Sequence, residues 1–196
     1  MGLTIPYGPG QTPLSEEEME GLRISSITDR YELDEFEQLN IEKAILWLSR
    51  KKLTADQILD EHFIRKLHGE MFGDVWIWAS SYRLTNKNIG VDKWQIPSAL
   101  RMLCEDARYW VAESVFPQDE IAIRFKHRLV SIHCFPNGNG RHSRLVADVI
   151  AEKIFYLPVF TWGTQSAFPD ARATYIQSLR MADRGDIQPL IRFSRS

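Results

Sequence analysis

Twelve consecutive residues, His133-Cys134-Phe135-Pro136-Asn137-Gly138-Asn139-Gly140-Arg141-His142-Ser143-Arg144, are of types that can handle a phosphate. One potential base, His133, ends an apolar run of Leu129, Val130 and Ile132. Phe135 is an expected core anchor. Pro136 should close the preceding helix, because proline lacks an N–H and pushes the residue before it out of helical geometry. In Asn137-Gly138-Asn139-Gly140 both residue types tolerate positive φ, so successive N–H groups can turn inward as an anion nest. Beyond it, Leu145, Val146, Val149, Ile150 and Ile154 fall on one helical face. The nest therefore opens a helix N-terminus, where free N–H groups and the helix dipole favour phosphate. Arg141 and Arg144 share a face of that helix and can both reach one polyphosphate. A base beside a phosphate cradle suggests group transfer from a nucleotide. Taken singly, these residues also fit a buried histidine, a helix N-cap and two surface arginines.

The same stretch resembles the signature of the Fic (filamentation induced by cAMP) family, H-x-F-x-[D/E]-G-N-G-R-x-x-R. His133, Phe135, Gly138, Asn139, Gly140, Arg141 and Arg144 match, and the acidic position is Asn137. HCFPNGNGRHSR, with TPLSEEEMEGL near the N-terminus, is similar to a bacterial subgroup of that family, mobile mystery protein B. The resemblance covers most of the chain. It implies an all-α Fic-type helical bundle with one small β-hairpin flap over the active site. It also implies AMPylation, the transfer of AMP from ATP to a Ser, Thr or Tyr hydroxyl of a target protein with release of pyrophosphate. On that reading His133 is the general base. The N–H groups of Gly138, Asn139 and Gly140 stabilise charge at the α-phosphorus, and Arg141 and Arg144 hold the β- and γ-phosphates. The family's acid coordinates Mg²⁺ (or Mn²⁺); Asn137 offers a neutral amide oxygen and is a weak ligand. Three readings stay open: weak metal binding with ATP as donor, another donor (UMP, phosphocholine or phosphate), or very slow transfer. The rival class is a non-catalytic nucleotide- or partner-binding module.

Residues 84–95 (LTNKNIGVDKWQ) are polar with a central Gly90 and are expected to form a short β-hairpin or loop. In Fic proteins the equivalent flap holds an extended target segment by main-chain pairing. Ile89, Gly90, Val91 and Trp94 are the candidates for target docking; the alternative is an exposed loop with Trp94 in the core. Residues 1–13 read as an extended arm. Ser15 then looks like an N-cap before Glu16, Glu17 and Glu18, with Gly21 as the stop. So short a helix must dock on something. Some Fic proteins carry an inhibitory helix, [S/T]-x-x-x-E-[G/N], whose glutamate pairs with the second motif arginine. Glu20-Gly21 matches its end, while Glu16 fills the Ser/Thr position with Ser15 one place away. The expected pair is Glu20 with Arg144; a solvated acidic helix is the alternative. The division expected is an N-terminal arm with a candidate inhibitory helix (1–30) and a Fic-type catalytic domain (31–196).

The elements that must position these residues are mostly helical. Ile41, Ala44, Ile45 and Leu48 mark a helix from Leu33 to about Ser49. Thr54 to Gln57 is a capping box opening one helix through Leu59, Phe63 and Leu67. His62 and His68 on it are expected to be structural or on the surface, since no acid or cysteine lies at metal spacing. Phe72, Trp76 and Trp78 are expected to pack, and Arg83 follows them. Pro97 suits a first helical turn leading into Leu100, Leu103, Ala107, Trp110 and Val111. Ile121, Phe125, Leu129 and Ile132 mark the helix ending at His133. Pro158 breaks the motif helix, and Pro169-Asp170 leads into a helix with Tyr175, Ile176, Leu179 and Met181. Tyr175 is either a core residue or the lining of a base pocket. Leu190, Ile191 and Phe193 close the core.

Hydrophobic content of 44% supports a real core. A net charge of −2 gives no basic footprint, so nucleic acid is not expected as a direct partner. Cys104 and Cys134 lack zinc spacing and suit reduced thiols in the cytoplasm. No signal peptide and no apolar run of roughly 20 residues, the length needed to span a membrane, is evident. The partners implied are a target protein and, by family analogy, a regulator encoded nearby.

Overall fold

The computed structural model describes residues 13–164 and 170–196. Pro6, Gly8, Pro9 and Gly10 of the expected arm, and Pro169, lie outside the described residues. Among the described residues the secondary structure is helical: α1 (Glu16–Met19), α2 (Arg30–Ser49), α3 (Ala55–Ile58), α4 (Glu61–Phe72), α5 (Ile96–Ala112), α6 (Gln118–Ile132), α7 (Asn139–Val149), α8 (Ala171–Asp183) and α9 (Gln188–Ser194). A 3₁₀ turn (Lys93–Gln95) precedes α5, and a π-helical turn (Ile150–Ile154) extends α7.

The pair α6 and α7 forms the centre, with α5 packed on α6, α4 on α7, and α2 on α4. Each central helix supplies the stripe its spacing predicts. Leu100, Leu103, Phe125, Leu129, Phe135, Val146 and Ile150 are all buried. A fully buried side chain of this size contributes roughly 1.5–3 kcal/mol, so this centre fixes the geometry of the α6–α7 connection. Among the described residues no helix is long and apolar enough to cross a membrane.

Two expectations need correction. The single helix expected from Thr54 through Leu67 is two. Leu59 leaves helical geometry at ψ 49°, and the Asp60 side chain caps a new start by accepting from His62 N at 2.8 Å. The β-hairpin flap is a loop. Residues 84–92 contain no strand, because side chains take the places a ladder would fill. Arg83 Nη1 donates to Thr85 O, and the Asn86 amide accepts from Lys93 N and donates to Asp92.

The N-terminal segment docks on the approach to this loop. Arg23 N donates to Val75 O, Ile77 N donates to Gly21 O, and Leu22 forms an isolated antiparallel bridge with Trp76. Ser15 and Glu18 form the capping box of α1, and the Trp78 indole donates to Glu18 O at 2.8 Å.

Candidate active site

α6 ends on His133, whose backbone is left-handed at φ 58°, ψ 61°. That region is uncommon for residues other than glycine, though asparagine, aspartate and histidine enter it several times more often than the rest. It turns the chain sharply into the loop that opens α7. The His133 side chain is 5% exposed; among the described residues neither ring nitrogen has a hydrogen bond of good geometry, although the Val130 backbone lies close enough to raise its pKa a little. Burial first, then the nearby charges of Arg83 and Lys87, lowers its pKa to about 4. At neutral pH the imidazole is therefore uncharged, the form that can accept a proton. It lines a cavity of about 810 Å³ together with Asn137, Gly138, Asn139, Gly140, Arg141 and Arg144. Sequence reasoning named these residues, and the fold gathers them around one space.

The loop is held from inside. Asn139 Oδ1 accepts from Phe135 N at 3.0 Å, and its Nδ2 donates to Phe135 O at 2.8 Å. The Asn139 side chain thus pins the loop and is turned away from a ligand. Gly138 is the left-handed N-cap of α7 at φ 77°, where a Cβ would meet the Phe72 ring at 2.6 Å. Among the described residues no side chain caps the start of α7.

Below the loop, Phe135 is fully buried between two histidines. His68 stacks on it at 3.8 Å between centroids, and His142 meets it edge-on at 5.2 Å. His68 Nδ1 accepts from Ser80 N, so its Nε2–H donates to Asn137 O at 3.0 Å. His142 bonds Ile64 O at 2.9 Å through Nε2. Burial pushes both rings down, His142 to about 3 and His68 well below its usual value, so both are neutral.

The two arginines differ. Arg141 Nη1 lies 2.6 Å from Glu37 Oε2, and the other oxygen of Glu37 accepts from the Trp76 indole at 2.7 Å. Arg144 lies over the ring of Tyr175 at 5.7 Å. The Tyr175 hydroxyl accepts from the buried Lys126 at 2.5 Å, and the tyrosine lines the cavity. Glu20 is exposed at the C-cap of α1, and the expected pair with Arg144 is not formed. The α1 glutamate that reaches inward is Glu18, which pairs with Lys87 where both side chains are about one-tenth exposed.

Ile89 and Gly90 also line the cavity. Gly90 has φ 99°, and a Cβ there would meet His133 Cβ at 2.7 Å. Val91 N donates to Ile132 O at 3.3 Å. Trp94 is 81% exposed and lies outside the cavity, at the loop's far end.

Magnesium fits these residues poorly. The Asn137 amide oxygen accepts from Gly138 N at 2.6 Å and carries no charge. Among the described residues no group of three acids, histidines or cysteines gathers at metal distance. Magnesium is usually held by one or two carboxylates plus substrate phosphates; Asp34 and Asp183 also line the cavity, but no carboxylate stands at the Asn137 position.

Glu37, Lys126 and the clamping role of His68 are not evident from local sequence. Glu37 sits on a helix remote in the chain, and Lys126, although on α6 itself, meets a partner on distant α8; only the packing of α2 and α8 shows what they touch.

Residues 58–151 match the model of the Fic/DOC family. The chain is 31% identical to "Protein adenylyltransferase Fic" of Drosophila grimshawi over 135 residues, 66% of this chain and 26% of the relative. The Drosophila virilis protein of the same name is 30% identical over 135 residues, with the same shares of each chain. The chain thus covers about a quarter of these relatives' length. Among solved structures, Fic-1 of C. elegans (aa134–508) is similar with a TM-score of 0.70 at 21% identity, covering 90% of this chain and 51% of that one. BepC of Bartonella tribocorum, solved with bound AMPPNP, has a TM-score of 0.68 at 15% identity, covering 92% and 97%. These two likenesses concern the fold.

Proposed function

Because the chain carries a Fic/DOC family domain over residues 58–151, we propose that it transfers AMP from ATP to a Ser, Thr or Tyr hydroxyl of a target protein. The observation that carries this reading is His133: a buried, neutral imidazole with no well-formed hydrogen bond among the described residues, lining one cavity with Arg141, Arg144 and the uncapped start of α7. A module that only binds has no use for such a group. The name carried by the Drosophila relatives and the nucleotide bound to BepC agree with it.

In this reaction the acceptor hydroxyl attacks the α-phosphorus while His133 takes its proton. The bond to pyrophosphate breaks, and the β- and γ-phosphates stay against Arg141 and Arg144. N–H groups of Gly138, Asn139 and Gly140 meet the charge that develops on the α-phosphate oxygens. The negative nucleotide also raises the His133 pKa from about 4 toward neutrality, which strengthens it as a base while it is needed. Ile89, Gly90 and Val91 present the acceptor segment. α1 regulates through the loop, Glu18 holding Lys87.

Asn137 favours a second reading, transfer from another donor or nucleotide binding without transfer. The test is α-labelled ATP with lysate proteins, in Mg²⁺ and in Mn²⁺, for wild type and His133→Ala. A labelled band that His133→Ala abolishes supports AMP transfer. A band only with UTP or a choline donor changes the donor, and nucleotide binding without any His133-dependent band selects the module.

A further inference from the structure

Arg83 is 1% exposed, and the proposed chemistry uses only its charge, which helps to keep His133 neutral. Its guanidinium donates to three backbone carbonyls from three places. Nε donates to His133 O at 2.7 Å, Nη1 to Thr85 O at 2.8 Å, and Nη2 to Val91 O. Thr85 and Val91 are the two ends of the loop over the cavity. His133 is the proposed base. Arg83 N also donates to Cys134 O at 2.9 Å, so the residue is fixed at both backbone and side chain to the segment that carries the base. No carboxylate among the described residues forms a salt bridge with it. The planar, five-donor guanidinium suits this role, because a lysine in the same place would reach one carbonyl where the fork reaches three.

The loop these bonds hold sits directly against the base. A Cβ on Gly90 would lie 2.7 Å from His133 Cβ and 2.8 Å from Arg83 Nη2. Apart from Arg83, the backbone bond across this seam is Val91 N to Ile132 O, at 3.3 Å.

We infer that Arg83 is a positioning residue: it sets the height of loop 84–92 over His133, and with it the line along which an acceptor hydroxyl reaches the imidazole. The inference rests on the transferase reading above. It separates two reactions of one site. A protein acceptor must lie along the loop, whereas water needs no loop to reach the α-phosphorus. Loss of Arg83 therefore lowers transfer to protein more than hydrolysis of ATP to AMP and pyrophosphate.

The test compares full-length wild type, Arg83→Met, Arg83→Lys and Gly90→Ala. Three quantities are read: label transferred to lysate protein, free AMP released, and affinity for the α,β-methylene analogue of ATP. The expected result is a tenfold or greater fall in transfer for Arg83→Met and Arg83→Lys, with AMP release and analogue affinity within threefold. Gly90→Ala, which keeps Arg83, should shift the same ratio by lifting the loop. If Arg83→Met fails to fold, Gly90→Ala and Arg83→Lys carry the test. Transfer and AMP release falling together, or neither falling, would overturn the inference. Hydrogen exchange of the 84–92 peptide decides the matter if wild type itself neither transfers nor hydrolyses, which is failure of the transferase reading. Exchange that quickens in Arg83→Met keeps Arg83 as the tie of the loop, and unchanged exchange removes it.

Discussion

The Arg141 guanidinium lies 2.6 Å from the Glu37 carboxylate, 104 residues earlier in the chain. Glu37 is 4% exposed and bonds the Trp76 indole with its other oxygen, so one buried acid fixes both a ligand-facing arginine and a core tryptophan. Breaking one side of a buried pair strands the other charge, although Arg141 can relax toward the cavity. Glu37→Gln keeps the tryptophan bond and should lower stability by about 1–3 kcal/mol, seen as a lower Tm. With the orienting partner gone, nucleotide affinity by calorimetry should weaken several-fold. Tighter binding would mean that Glu37 competes with phosphate rather than orients the arginine.

Acid should loosen the loop through its histidines. His133, His142 and His68 all have folded pKa values below the ordinary 6.5, with His133 at about 4 and His142 at about 3. The unfolded chain thus takes up protons first as pH falls below about 6.5. Stability is full above that pH and drains away as pH drops toward 4 and then 3. Asp148 acts the other way: burial raises its carboxyl to about 6, so it favours the folded state as pH falls through the 6-to-3.8 window. Three groups against one predict a net loss on acidification. Urea midpoints at pH 7.5, 5.5 and 4.5 should fall in that order, and a flat series would contradict the burial of these rings.

His68→Leu removes the hydrogen bonds that His68 makes with Ser80 N and Asn137 O. Both groups are part-buried, so each lost bond contributes about 0.5–1.5 kcal/mol, and a drop of about 1–3 kcal/mol is expected in chemical denaturation. Because the lost bond holds the phosphate loop, nucleotide affinity should fall as well. An unaltered Kd would show that Asn139 alone suffices to shape the loop.

The two α1 glutamates should behave differently. Glu20→Gly removes an exposed side chain that forms no ion pair among the described residues, and it should leave transfer within about twofold, as surface changes usually do. Glu18→Gln breaks the near-buried pair with Lys87 and should change both the exchange of residues 84–92 and the rate of transfer. The opposite order, with Glu20→Gly the activating change, would restore the pairing of Glu20 with Arg144.

Asn137→Asp replaces a neutral oxygen with an anionic one at the edge of the loop. The carboxylate can still accept from Gly138 N and adds attraction for a divalent cation. The concentration of Mg²⁺ or Mn²⁺ giving half-maximal transfer should fall, with titration calorimetry as the independent check. An unchanged metal requirement would show that charge at this position is not limiting.

Much of the site was legible because its residues are contiguous. A base, one positive-φ glycine (Gly138, where the Asn-Gly run suggests more) and two arginines one helical turn apart need only the stretch from His133 to Arg144 to be seen. The helices were legible by periodicity, since their apolar stripes follow one core. What stayed hidden depends on distance along the chain. Nothing around Glu37 says that it will meet Arg141, nothing around His68 that its ring will carry Asn137. The hairpin expected over residues 84–95 did not form because Arg83 and Asn86 use side chains where strands would use N–H and C=O. A polar stretch with a central glycine does not reveal that substitution. Glu20 fitted a pattern one residue out of register, and the capping box of Ser15 with Glu18 shows which glutamate turns inward.

The left-handed backbone of His133 bears on how such a chain drifts. Holding a residue other than glycine or asparagine there is unfavourable by roughly 1 kcal/mol, and two buried ring nitrogens lack a well-formed hydrogen bond among the described residues besides. Asparagine or glycine at this position would relieve the strain, so a lineage with no use for the imidazole would gain folding stability by discarding it. The histidine is therefore a standing burden that selection for stability alone erodes. His133→Asn and His133→Gly, though inactive, should melt higher than His133→Ala, which keeps the strained backbone.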